Sequence, residues 1–104
     1  MKVDTYILDA LMRDLVGHGR SAASFLVYLF LYRQTLGIGR ESYAISYSRL
    51  ADATGLSKRA VQSAVEVLVG RQLLQATRER ATSTPVYTVL TPWRRLAAGK
   101  PGPI

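Results

Sequence analysis

The chain has 104 residues, of which 48% are hydrophobic and 20% charged, a balance that fits one modest core and excludes a disordered polyelectrolyte. It has no cysteine, which excludes disulfides, thiolate metal sites and thiol nucleophiles. Its net charge is +7, and the excess lies in residues 40–104, where ten basic side chains face four acidic ones; such a balance attracts a polyanion (DNA, RNA or an anionic membrane) or serves solubility alone, and charge does not choose among these.

Residues 4–16 read as a helix. Ile7, Leu8, Leu11, Met12, Leu15 and Val16 recur as one apolar stripe, Asp4 or Thr5 can cap the start, and Gly17 can stop it. His18, Gly19 and Arg20 form a short connection. Residues 22–36 read as a second helix, with Ser21 as N-cap and Gly37 as the terminating glycine. Phe25 to Tyr32 leave almost no polar face, so this helix is expected at the centre, covered on several sides. A subunit interface can cover what remains. The apolar run from Ala22 to Tyr32 is about half of the roughly 20 residues that a membrane-spanning helix needs. The N-terminus lacks the pattern of a secretory signal, and the expectation is a soluble, cytoplasmic, nucleoid-associated protein.

Gly37 to Glu41 read as a loop and Tyr43 to Ile45 as a very short strand. The segment Ser46 to Gly70 carries the main signal. Ser46 can cap a short helix over 47–54, with Leu50 and Ala51 facing inward. Gly55 supplies the backbone freedom of a tight inter-helix turn, and Leu56 plugs the gap between the two helices. Ser57 caps a second helix over 58–70, whose stripe is Val61, Ala64, Val65 and Leu68. Gln62, Ser63 and Glu66 face away from that stripe. Beyond Gly70 the period changes to strands over 73–78 and 86–90, joined by a polar, turn-like Glu79 to Pro85. Pro85 suits the start of a strand rather than its middle. Trp93 can pin the start of the tail, and residues 96–104 read as a flexible C-terminal tail. Residues 1–95 read as one domain.

A short helix, a glycine turn and a second helix with one sealed and one polar face make a helix-turn-helix, and the two following strands make a wing. Leu50-Ala51, Thr54-Gly55-Leu56-Ser57, Lys58-Arg59, Val61, Leu68 and Leu73-Leu74 resemble the winged helix-turn-helix of bacterial, phage and plasmid regulators. Both MarR-like regulators and replication-initiator DNA-binding domains share this pattern. The fold class it implies is mainly α with a small β wing (α+β), extended by an N-terminal helix. Three positions depart from the pattern. Arg49 stands where a capping box has Glu or Gln, Gln72 where glycine usually precedes the strand, and Ala64 where a larger aliphatic is common.

The resemblance implies contacts residue by residue. Arg59 and Gln62 are the expected base readers, because guanidinium pairs with guanine and carboxamide with adenine in the major groove. Ser63 shares their face. Ser57 and Lys58 at the helix start, and Ser46, Tyr47, Ser48 and Arg49 at the start of the preceding helix, suit phosphate. Arg78, Arg80, Thr82 and Ser83 place the wing on the backbone or minor groove. A single Arg or Lys is ordinarily a solvated surface charge; the set is informative because its spacing gathers it on one surface.

The expected function is sequence-specific binding of double-stranded DNA by a homodimer joined through the N-terminal helices. The first reading is a transcriptional regulator that acts by promoter occupancy. The alternatives are a plasmid or phage replication initiator or accessory DNA-binding domain, or a winged-helix protein-interaction module. His18 is the only histidine, and no nucleophile, metal set or carboxylate pair is visible, so no enzyme, cofactor, metal or small-molecule ligand is expected. Tyr28, Phe30 and Tyr32 are expected in core or dimer packing rather than in a ligand pocket.

Overall fold

The computed structural model describes residues 3–18, 21–80 and 83–94, with the side chain of His18 excepted. Thr82 and the tail expected over 96–104 lie outside the described residues.

Residues 5–18 are helical, but not uniformly α. Two π-helical turns, Ile7–Leu11 and Asp14–His18, interrupt the segment. Ile7, Leu11 and Leu15 are buried along one line at a spacing of four residues. An α-helix of 3.6 residues per turn carries such a line off to one side, and the wider π turns bring it back to the core. Gly17 does not stop the helix, which runs on through it to His18. Neither Asp4 nor Thr5 caps it through a side chain. The turn is entered by a backbone bond from Ile7 N–H to the Asp4 carbonyl at 3.0 Å, and the Asp4 carboxylate is used elsewhere.

Helix α1, Ala22–Gln34, begins at Ser21, whose hydroxyl accepts from Ser24 N–H at 3.0 Å. It buries Phe25, Val27, Tyr28, Leu31 and Tyr32, and it packs against the N-terminal segment, both later helices and the sheet. This is the central position expected of a helix without a polar face. It ends at Gln34, two residues short of the expected end at 36. The Thr35 hydroxyl donates to the Leu31 carbonyl at 2.7 Å, and a 3-10 turn, Leu36–Ile38, follows. The left-handed residue that completes the exit is Gly39, φ 75°, and not Gly37.

Strand β1, Tyr43–Ala44, leads into α2, Tyr47–Thr54, and α3, Lys58–Gly70. Both helices start at a serine: Ser46 accepts from Arg49 N–H at 3.2 Å and Ser57 from Ala60 N–H at 3.0 Å. Gly55 closes α2 in the left-handed region at φ 79°, which turns the chain sharply enough for α3 to cross it. Strands β2, Leu74–Thr77, and β3, Val86–Val89, complete an antiparallel sheet in the order β1-β3-β2. Tyr43 pairs with Tyr87 on one side of β3, and Ala76 pairs with Tyr87 on the other. The β2 strand, only four residues long, forms one edge. Gln72, at φ 60°, takes the left-handed turn from α3 into β2, the position where the resemblance led to an expectation of glycine.

One core runs through all of these elements, with Val61, Ala64, Val65 and Leu68 of α3 meeting Leu31 and Val27 of α1, Leu50 of α2 and Leu74 and Tyr87 of the sheet. The result is a helix-rich α+β fold with a small three-stranded antiparallel sheet, a winged-helix-like arrangement of the class expected from the sequence. Among the described residues, no helix is long and apolar enough to cross a membrane.

Candidate nucleic-acid interface

Burial divides α3 cleanly. Val61, Ala64, Val65 and Leu68 are sealed in the core, while Lys58, Arg59, Gln62, Ser63 and Glu66 stand exposed. A helix repeats every 3.6 residues, so positions 58, 59, 62, 63 and 66 fall on one face by their i+3 and i+4 spacing. Core packing fixes the helix from behind and leaves the polar face free of the protein's own chain. Ser57, also exposed, caps the helix at the same end as Lys58 and Arg59. The first-turn N–H groups and the positive end of the helix dipole therefore lie beside two cationic side chains, a combination suited to an anion. Glu66 is the one acidic group on this face, in its C-terminal half.

Helix α2 presents a second N-terminus. Ser46 and Tyr47 are half-buried there, and Ser48 and Arg49 are exposed. The wing comes to meet it. Arg78, one residue beyond β2, places its guanidinium carbon 5.4 Å from the centre of the Tyr47 ring. Its NH1 also donates to the Ser83 carbonyl at 3.4 Å, across the base of the wing loop. Arg80 is exposed at the wing, and Ser83 is half-buried. Thr82 falls outside the described residues. The expected phosphate residues of α2 and the wing are thus in contact through Tyr47 and Arg78, although these lie thirty-one positions apart in sequence.

Periodicity could not reveal what lies beneath that pair. Tyr87, on the central strand, is fully buried, and among the described residues its hydroxyl finds no hydrogen-bond partner. Burial pushes this phenol well above the usual tyrosine range. Tyr47 and Arg78 are the polar groups that act on it: Tyr47 reinforces the rise and the Arg78 cation opposes it. The only hint in the sequence is the alternation of β3, which turns Tyr87 to the same face as Val89.

Other basic residues are engaged away from this surface. Arg71 binds Asp14 at 2.7 Å and Arg94 binds Asp4 at 2.5 Å, so both tie the N-terminal segment to the body. The Arg94 guanidinium and the Trp93 indole hold the Asp4 carboxyl below its ordinary range. Tyr28 and Tyr32 are buried in this same region and serve packing, with the Tyr28 hydroxyl donating to the Leu90 carbonyl at 2.8 Å.

Comparison with curated proteins and with solved structures gave no match. The family model of bacteriophage replication protein O matches residues 1–93, nearly the whole described chain, and the protein belongs to that family of phage DNA-replication proteins.

Proposed function

We propose that this chain is the double-stranded DNA-binding module of a phage replication initiator, which marks origin DNA by laying α3 in the major groove. The observation that carries the reading is the division of α3 into a sealed aliphatic face and an open face bearing Lys58, Arg59, Gln62 and Ser63. Family membership supports replication rather than promoter occupancy as the setting, so origin binding replaces transcriptional regulation as the first reading. Arg59 and Gln62 read base edges; Ser57 and Lys58 hold phosphate at the start of α3. Ser46, Ser48 and Arg49 hold phosphate at the start of α2, with Arg78, Arg80 and Ser83 on the wing side. The protein acts where phage DNA is copied, in the host cytoplasm.

A homodimer joined through the N-terminal helices completes the proposal. Leu8, Met12 and Val16 remain exposed at four-residue spacing on the N-terminal segment, at 52%, 40% and 41%. An apolar line of this kind is suited to a second copy, and two copies would match an origin site with two-fold symmetry. Sedimentation of the wild type and of Met12→Glu checks it: a dimer that becomes a monomer supports the joint, and a monomeric wild type removes it.

The experiment for DNA recognition is selection of bound sequences from random duplex DNA at physiological salt, with Arg59→Ala and Gln62→Ala in parallel. A preferred site that recurs in the cognate phage origin, and that loses preference at separate base positions in the two variants, supports the proposal. Preference unchanged in both variants would move the reading surface off α3.

A further inference from the structure

We infer that Tyr47 is a positioning residue for DNA binding: its ring holds Arg78, so that the root of the wing and the start of α2 meet the DNA backbone as one rigid unit. The inference rests on the nucleic-acid reading of this surface.

The geometry gives Tyr47 its role through the ring. Its face carries the Arg78 guanidinium at 5.4 Å, within the range over which a cation is drawn to an aromatic ring. The phosphate ligand is then Arg78, and Tyr47 acts by holding it. A guanidinium held by its face donates in its own plane, as NH1 does to the Ser83 carbonyl, whereas a lysine ammonium at the same place would have no such preferred plane. The second hold, NH1 on the Ser83 carbonyl, fixes Arg78 within the wing loop. With the ring on one side and the loop carbonyl on the other, Arg78 joins two elements that no strand pairing links. β2 ends at Thr77, and α2 lies outside the sheet.

The contact also lowers the ordering cost that the wing meets when it takes a phosphate. An exposed arginine at a loop root normally samples many rotamers, and fixing them opposes association. Here part of that ordering is already present in the free protein. The partner it suits is the sugar-phosphate backbone of duplex DNA beside the groove that α3 enters.

The test compares wild type, Tyr47→Phe, Tyr47→Leu, Arg78→Ala and the Tyr47→Leu/Arg78→Ala double variant for duplex binding over a salt series, with thermal melting alongside. Tyr47→Phe keeps the ring and is expected to bind like wild type. Tyr47→Leu is expected to lose about three-fold in affinity, the scale of one exposed cation–ring contact. Arg78→Ala is expected to lose more and to lower the slope of log affinity against log salt by about 0.9, one phosphate contact. The double variant should bind no more weakly than Arg78→Ala alone. A Tyr47→Phe loss as large as that of Tyr47→Leu would make the hydroxyl the ligand, and full addition of the two losses in the double variant would make the residues independent. Either result overturns the inference. Should Tyr47→Leu fail to fold, Tyr47→Phe decides by itself. The Arg78 side-chain N–H resonance of the free protein, shifted by the ring in wild type and Tyr47→Phe but not in Tyr47→Leu, reports the contact without DNA. Failure of wild type to bind duplex is thereby distinguished from absence of the Tyr47–Arg78 contact.

Discussion

Trp93 donates its indole N–H to the Asp4 carboxylate at 2.8 Å, closing a link across 89 positions of sequence. Arg94 reaches the same carboxylate with NH2 at 2.8 Å and extends to the Tyr32 hydroxyl at 3.0 Å, while Tyr6 stacks on Trp93 with ring centres 4.7 Å apart. The first helical segment and the stretch that follows β3 are therefore fastened to each other and to the central helix.

This fastening is acid-labile. The folded Asp4 carboxyl is held below its ordinary value of 3.8, chiefly by Arg94 and then by Trp93. A depressed carboxyl contributes stability that is present above its unfolded value and lost as pH falls through the folded one. The contribution is therefore full at neutral pH and fades below about pH 4. Trp93 is the only tryptophan, so its emission reports the event directly. Asp4→Asn should shift that emission at neutral pH and abolish its acid transition. It should also lower stability by about 1 kcal/mol, a modest figure because the pair is partly exposed.

Two turn positions make a matched pair of backbone tests. Gln72 holds φ 60° with a side chain, and Gly55 holds φ 79° without one. The left-handed region costs a non-glycine residue about 1–2 kcal/mol. Gln72→Gly should thus raise stability by up to about 1 kcal/mol, the gain being reduced by glycine's freer unfolded chain. Gly55→Ala should lower it by about 1 kcal/mol through backbone strain alone, since a Cβ there meets nothing within 4 Å. Denaturant midpoints of the two variants should move in opposite directions.

Tyr87→Phe removes a buried hydroxyl that has no partner among the described residues. A polar group left unsatisfied in the core costs about 1–3 kcal/mol, so the variant should be at least as stable as wild type and should melt several degrees higher if the full penalty is relieved. There is a pH signature as well. Burial raises the phenols of Tyr28 and Tyr87 above their ordinary value of 10.0. Their contribution is complete below that value and is lost as pH rises past it, because the unfolded phenols ionise first. Tyr87→Phe should soften the alkaline loss of stability.

On the DNA side, Lys58→Ala should weaken binding to all duplexes alike and lower the salt slope by about 0.9. Arg59→Ala should cost about 1–3 kcal/mol on the preferred site and relax preference there, with little change on random duplex. Fluorescence anisotropy on both duplexes over a salt series separates the two behaviours.

The sequence made the helix-turn-helix legible because each of its parts is local. Ser46, Gly55 and Ser57 mark the ends through their own backbone preferences, and Val61, Ala64, Val65 and Leu68 mark the sealed face through periodicity alone. Gln72 stands where the resemblance implies glycine, and its left-handed backbone shows why glycine suits that turn. Other features depend on distant partners. Asp4 looks like a helix cap until Trp93 and Arg94 arrive to claim it. Gly17 and Gly37 carry the right residue type for helix ends, but the π turns through His18 and the Thr35 hydroxyl decide where the chain leaves the helix. The Tyr47–Arg78 contact joins two residues that the resemblance marked separately, one as a phosphate contact of α2 and the other as a wing contact. Only the sheet register, which brings the wing root against α2, shows that they touch.

The shortness of β2 protects the sheet at its open side. An edge strand offers its unpaired N–H and C=O groups to any other extended chain, and long, flat edges invite aggregation. Four residues present few such groups, and Arg78, Glu79 and Arg80 follow at once with charge. Copies of the chain brought close together are therefore expected to resist fusing into a shared sheet through this edge.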